Sequence, residues 1–251
     1  MEIKLDYSAE NFHRDGFAII KDFLSERELN NVEDELNDLM TTRRGDIDVA
    51  DLFYEDDGKS VRQIERISNY SPFFAKLGQD ERFSTVMQQL FGQNSQGDNL
   101  SYKAKCARIG AGVPHHQDNA YYCLTPPHAL TFWIALDDSN EENGCVRVVP
   151  GSHLKPPAAH QPSGDNGLSQ SLVNTPVPEE EVSITLKRGD CSIHHCLTIH
   201  QSLPNTSTRS RNALLMFARS VACTVDQEGM AIYQTIRQEM YDRIAKGTSR
   251  E

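Results

Sequence analysis

The sequence predicts a mainly β fold, a jelly roll with flanking α-helices, and three observations carry the prediction. From about residue 100 the apolar pattern changes from helical spacing to strand-like alternation. Short alternating runs are then divided by glycine and proline turns. Two helical stretches precede those runs and one follows, so helices have a sheet face to cover.

Taken in order, Arg14-Asp15-Gly16 reads as a turn leading into a short apolar strand, Phe17-Ala18-Ile19-Ile20. Ser25-Glu26-Arg27-Glu28 has the form of a capping box, and behind it Leu29, Val32, Leu36 and Leu39 recur at helical spacing. Thr41 to Ser60 is polar and reads as a mobile loop. A second helix runs from a cap at Asp80 to Phe91, with Gly92 as its stop. Ala129 to Asp137 alternates, with Leu130, Phe132, Ile134 and Leu136 on one face and Thr131, Trp133 and Ala135 on the other. Cys145 to Val149 forms a strand entering the Pro150-Gly151 turn, Val182, Ile184 and Leu186 alternate again, and Asn212 to Val221 is long enough for a central strand. Lys155 to Glu181 is rich in proline and glycine and reads as an irregular lid or binding loop. Asp226 to Lys246 closes the chain as a helix with Met230, Tyr233, Ile236, Met240 and Ile244 on one side. The expected organisation is one domain over 1–251: a helical part to about 98, a jelly-roll core over 99–221 and a helix over 226–246.

Composition narrows the function. A formal charge of -11 argues against nucleic-acid and anionic-membrane partners. No apolar run is long enough to cross a membrane, and Met1-Glu2-Ile3-Lys4-Leu5-Asp6 lacks the pattern of a secretion signal. The six cysteines are scattered, which fits reduced thiols and a cytoplasmic protein. Cys191-Ser192-Ile193-His194-His195-Cys196 has no second ligand pair, so it reads as a strand and not as a zinc site.

The chemistry concentrates in Pro114-His115-His116-Gln117-Asp118-Asn119-Ala120-Tyr121-Tyr122 and His200-Gln201-Ser202-Leu203-Pro204-Asn205. On an extended strand, His116 and Asp118 point to the same face, and His200 can supply a third ligand. Two histidines and one carboxylate with open positions opposite suit non-heme Fe(II). Tyr121 and Tyr122 either wall a substrate or pack, His115, His194 and His195 read as structural, and Gly144, Pro150 and Gly151 read as turn formers. Trp133, the single tryptophan, is core by default.

The stretches 114–118, Glu142-Asn143-Gly144-Cys145, Val149-Pro150-Gly151-Ser152-His153 and 200–205, in that order, resemble the phytanoyl-CoA dioxygenase family. The resemblance implies a double-stranded β-helix of the cupin-like kind and Fe(II), 2-oxoglutarate and O2 as cofactor and cosubstrates. It implies His116, Asp118 and His200 as iron ligands, and an arginine eleven residues after the distal histidine for the far carboxylate of 2-oxoglutarate. That arginine is Arg211, with Arg209 as runner-up, and Ser202 matches an assisting hydroxyl. Lys105 and Trp133 match positions lining the cosubstrate pocket in some relatives. The implied reaction is oxidation of a C–H bond, hydroxylation by default, with release of succinate and carbon dioxide. Desaturation, cyclisation and epimerisation share that chemistry, and the retained Asp118 disfavours halogenation. The rival readings are a non-catalytic cupin-like binding protein and a nucleic-acid-modifying oxygenase. The expected partner is a small free metabolite, the expected assembly a monomer or homodimer.

Overall fold

Local chemistry sets where the elements begin and end in the computed structural model, which describes residues 7–165 and 168–245. Met1 to Asp6, and Lys246 at the expected end of the last helix, lie outside that range. Helix α1 (Ala9–Asp15) is capped by Ser8, whose hydroxyl accepts from the Asn11 amide. It stops at Gly16, left-handed at φ 83°, so the expected turn at 14–16 is the end of a helix. Strand β1 (Phe17–Ile20) follows. Ser25 and Glu28 form both bonds of the capping box on α2 (Glu26–Thr41), and its four periodic apolar residues are buried.

The stretch 41–60 is not the expected mobile loop. It holds a 3-10 turn (Arg44–Asp46) and strand β2 (Leu52–Tyr54), paired antiparallel with β3 (Val61–Ile64). Its polar residues satisfy one another: Asp57 accepts from the Lys59 and Ser60 amides, and buried Asp51 pairs with Arg66 at 2.5 Å. Helix α3 (Pro72–Leu77) starts at the Ser71 cap, and α4 (Glu81–Phe91) has the expected Asp80 cap and Gly92 stop.

The chain then becomes strand-rich, through β4 (Ser95–Lys105), β5 (Val113–His116), the short α5 (Asn119–Tyr122), β6 (Leu124–Thr125), β7 (Ala129–Ala135) and β8 (Val146–Val148). A hairpin of β9 (His160–Asp165) and β10 (Leu168–Leu172) occupies the stretch expected to be irregular. Pro162 is tolerated there because the hairpin is a two-stranded ribbon with free outer edges. Next come β11 (Val182–Ser183), β12 (Cys191–His195), β13 (His200–Ser202), β14 (Arg211–Ser220), β15 (Thr224–Val225) and α6 (Gln227–Ala245).

Two antiparallel sheets form the jelly roll, without closing into a barrel. The large one runs β1-β12-β7-β14-β4-β3-β2 and the small one β11-β8-β13-β5. Alternation gives the large sheet two unlike faces. Leu130, Phe132, Ile134, Ile193, Leu214 and Met216 pack outward in one core with residues of α2 and α4. The opposite parity, Thr131, Trp133, His194, Arg211 and Lys105, lines a cavity between the sheets. Trp133 and Ala213 also join Val146, Val148, Ile184 and Leu186 in an apolar floor. The six cysteines are all free thiols.

Candidate active site

The cavity is about 590 Å³, within the usual range for small-molecule sites. His116 ends β5 and His200 begins β13, and the two are register partners across the small sheet. Their rings lie 4.1 Å apart, centre to centre. Asp118 joins them by another route than the expected extended spacing. The strand stops at His116, and Asp118 is already helical (φ -57°, ψ -33°) at the head of α5. Gln117, between the two, turns away into the protein, donating to the Leu197 carbonyl and accepting from the Ala158 amide. The result is one candidate ligand atom from each of three side chains, all within 4.8 Å of one another.

The hydrogen bonds fix which atoms face inward. His116 Nδ1 lies 2.8 Å from the Pro114 carbonyl and His200 Nδ1 lies 3.0 Å from the Thr198 carbonyl. A carbonyl only accepts, so each Nδ1 carries the hydrogen and each Nε2 lone pair points into the site. Both Nε2 atoms stand 3.7 Å from Asp118 Oδ1. The other carboxylate oxygen, Oδ2, accepts from the Thr131 hydroxyl and lies 3.3 Å from His194 Nε2. Burial lowers the pKa of both histidines. Burial alone would raise that of Asp118, but His200, His194 and His116 together hold it well below the usual carboxylate range. Neutral imidazoles beside an ionised carboxylate are the forms that bind a divalent metal. Thr131→Val, which keeps all three donors but frees Oδ2, is expected to weaken Fe(II) affinity about 10–100-fold, read by anaerobic metal titration.

Arg211 opens β14 opposite Lys105 on β4, and its guanidinium lies 4.8 Å from the Trp133 ring centre. It is 4 % exposed, its buried Nε has no partner, and among the described residues no carboxylate pairs with it. Burial pulls its pKa down to about 10, only partly opposed by Cys145, Asp137 and Glu55. A buried guanidinium in this state can accept a carboxylate in two parallel hydrogen bonds. Arg209 precedes the strand and is exposed, so the runner-up does not reach the cavity.

Lys105 is 2 % exposed and donates to the carbonyls of Ser202 and Leu203. Burial, then the positive charges of Arg211 and Arg62, bring its pKa to about 6 against an ordinary 10.5. Between those values the unfolded chain holds a proton that the folded chain lacks, so this residue makes stability rise with pH across that window. Lys105→Met is expected to flatten the rise in the metal-free protein by up to about 1.4 kcal/mol per pH unit, measured by urea unfolding between pH 6 and 9.

The other expected residues fall as follows. Ser202 and Trp133 are buried in the cavity wall. Tyr121 faces His116 at 5.6 Å and donates to the Gln170 carbonyl, while Tyr122 stacks on Phe217 at 3.5 Å, both lining the cavity. His115 pairs with Glu181 at 2.5 Å, outside the triad. His195 packs among Phe12, Phe91 and His153, where burial and neighbouring histidines push its pKa to about 3. Gly144 and Gly151 are left-handed, as turn formers. Thr131, His194, Arg62, Glu65 and Arg237 also line the cavity and carry no sequence motif of their own. Of these only Thr131, by its parity with Trp133, and His194, in the Cys191–Cys196 run and expected to be structural, were marked in the sequence.

The phytanoyl-CoA dioxygenase (PhyH) family model matches residues 12–213. A phytanoyl-CoA dioxygenase of Arabidopsis thaliana is 28 % identical over 241 residues, covering 80 % of this chain and 84 % of that one. A probable alpha-ketoglutarate-dependent hypophosphite dioxygenase of Stutzerimonas stutzeri is 29 % identical over 214 residues, covering 80 % and 73 %. Among solved structures, the epimerase SnoN in complex with Fe3+, alpha ketoglutarate and nogalamycin RO superposes with a TM-score of 0.71 at 22 % identity, covering 90 % of this chain and 87 % of SnoN. The last likeness supports the jelly-roll fold. With the family match spanning most of the chain, this protein belongs to the phytanoyl-CoA dioxygenase family.

Proposed function

We propose that this Fe(II)- and 2-oxoglutarate-dependent dioxygenase hydroxylates a C–H bond of a small metabolite, and that the cavity described above is its active site. The observation that carries the reading is one cavity holding both a His-Asp-His triad and a buried, acid-free arginine. His116 Nε2, Asp118 Oδ1 and His200 Nε2 would hold the iron, and Arg211, with Ser202, Lys105 and Trp133 around it, would hold the far carboxylate of 2-oxoglutarate. When bound, iron and 2-oxoglutarate supply the activation of O2, with succinate and carbon dioxide as coproducts.

The chain's own residues do the rest. Two backbone carbonyls orient the imidazoles, while Thr131 and His194 hold the second carboxylate oxygen. Lys105 spends its hydrogens on carbonyls, so the positive charge facing the cosubstrate comes from Arg211. Tyr121 and Tyr122 wall the substrate side and help keep water from the reacting carbon. Epimerisation, cyclisation and desaturation draw on the same machinery, whereas the retained Asp118 disfavours halogenation. A non-catalytic binding module would have no use for the unpaired charge of Arg211. The reading takes 1–251 as one catalytic domain, active as a monomer or homodimer in the cytoplasm. No helix among the described residues is long and apolar enough to cross a membrane.

The test is anaerobic addition of Fe(II) and 2-oxoglutarate to the metal-free protein. A weak visible charge-transfer band, followed by succinate release on admitting oxygen, is the expected result. Folded, iron-loaded protein with no band would overturn the assignment.

A further inference from the structure

The charge of the cavity is opposite to that of the chain. The whole sequence is strongly acidic, yet five cations (Arg62, Arg66, Lys103, Arg211 and Arg237) line the cavity beside Lys105, which burial leaves largely neutral at pH 7, against two carboxylates, Glu65 and Asp118. Asp118 belongs to the metal triad. Arg66 is neutralised from behind by Asp51 and Lys103 by Glu65, at 2.5 and 2.7 Å. Arg211 is set aside for the cosubstrate, and buried Arg62 donates to the Gly112 carbonyl with its charge directed at buried Glu55. Arg237 remains, half-buried on α6, bonded to the Tyr241 hydroxyl and, among the described residues, in no ion pair.

Arg237 does not stand alone. The charges of Lys103 and Arg237 both act on Glu65. Glu65 is already engaged by the Lys103 ammonium, the Ser101 hydroxyl and the Gln63 amide. The group Lys103, Glu65 and Arg237 therefore keeps one positive charge in excess. It is also separate from the 2-oxoglutarate end. Lys103 lies two residues along β4 from Lys105, which on a strand is about 7 Å, and it pairs with Ala213 where Lys105 pairs with Arg211. The same cavity carries an aromatic and apolar wall of Tyr121, Tyr122, Leu215, Phe217, Met230 and Tyr233, in which Tyr121 lies 5.6 Å from His116 and 5.8 Å from Tyr233 on the helix of Arg237.

We infer that the substrate is a small organic anion, its carboxylate or phosphonate held by Arg237 and Lys103 and its apolar body laid along that aromatic wall toward the metal. The inference rests on the proposed function and names the substrate class of the same site. An arginine fork and an ammonium side by side match a planar or tetrahedral oxyanion, and a neutral amide offers them far less.

The experiment uses protein saturated with Zn(II) and 2-oxoglutarate, so that binding is read without turnover. Isothermal calorimetry compares 3-phenylpropionate, 4-phenylbutyrate and hexanoate with their primary amides and phosphonate analogues. At least one anion is expected to bind tenfold or more tightly than its matched amide. That preference should fall to near unity in Arg237→Gln and in Lys103→Met, which leaves Glu65 to neutralise Arg237, while affinity for 2-oxoglutarate stays unchanged. Whether carboxylate or phosphonate binds better identifies the headgroup. A panel in which no anion outbinds its amide, or a preference that survives both variants, overturns the inference. The charge-transfer test of the metal site is read separately, so loss of the oxygenase reading and loss of the anion site are distinguishable outcomes.

Discussion

His116→Ala is expected to abolish the charge-transfer band and to lower succinate formation at least about a thousandfold, roughly 4 kcal/mol of barrier. The site has no spare donor. His194 lies beside Asp118, but its ring approaches Oδ2 and not the Oδ1 oxygen that His116 and His200 flank. The Pro114 carbonyl that orients the His116 ring cannot replace it, because it faces Nδ1. The fold should survive the change, since His116 sits at the end of a short strand and not in the apolar layers. Circular dichroism and an unchanged unfolding midpoint would show this. Retention of a wild-type band in the variant would remove His116 from the ligand set.

Arg211→Ala should act on the cosubstrate. Truncating one member of a buried charge pair costs about 2–5 kcal/mol, so the concentration of 2-oxoglutarate for half-saturation is expected to rise roughly a hundredfold or more. The metal-free protein should respond in the opposite sense. Arg211 is buried without an acid, and that desolvation disappears when an apolar side chain such as methionine replaces it. Arg211→Met is therefore expected to unfold at equal or higher urea than the wild type while binding 2-oxoglutarate poorly. A variant both less stable and unimpaired in cosubstrate binding would show that the arginine is structural.

The parts of the fold legible in the sequence are those where one physical signal acts alone. The capping box at Ser25, the Asp80 cap with its Gly92 stop and the alternation through Trp133 are local, and the structure reproduces each. The parts that were not legible are those where polar residues satisfy one another out of sequence. Asp57, Ser60 and Asp51 make 41–60 look solvated, although they hold a strand in place. Proline and glycine likewise concealed the β9–β10 hairpin. The triad residues stood out through motif order, yet Asp118 reaches His116 through a helical turn and not through the extended spacing that first paired them. Arg237 could not stand out. The apolar spacing of α6 suggested Ile236 and Ile244, but Ile244 is exposed, and the cavity is met by Met230, Tyr233, Arg237, Met240 and Tyr241. An arginine on a helix reads as a solvated charge until the opposite wall is known.

The position of α6 has a consequence for how this enzyme can change. The family match ends at residue 213, whereas α6, which lines the cavity, spans Gln227–Ala245. The proposed metal ligands and Arg211 lie within the matched region, and the part of the wall carrying Tyr233 and Arg237 lies after it. Part of the proposed substrate wall can therefore change without altering the residues proposed to hold the metal. Exchange of α6 alone would alter the wall carrying Tyr233 and Arg237 and leave the proposed oxidising centre in place, so new substrates are within reach of changes in one helix.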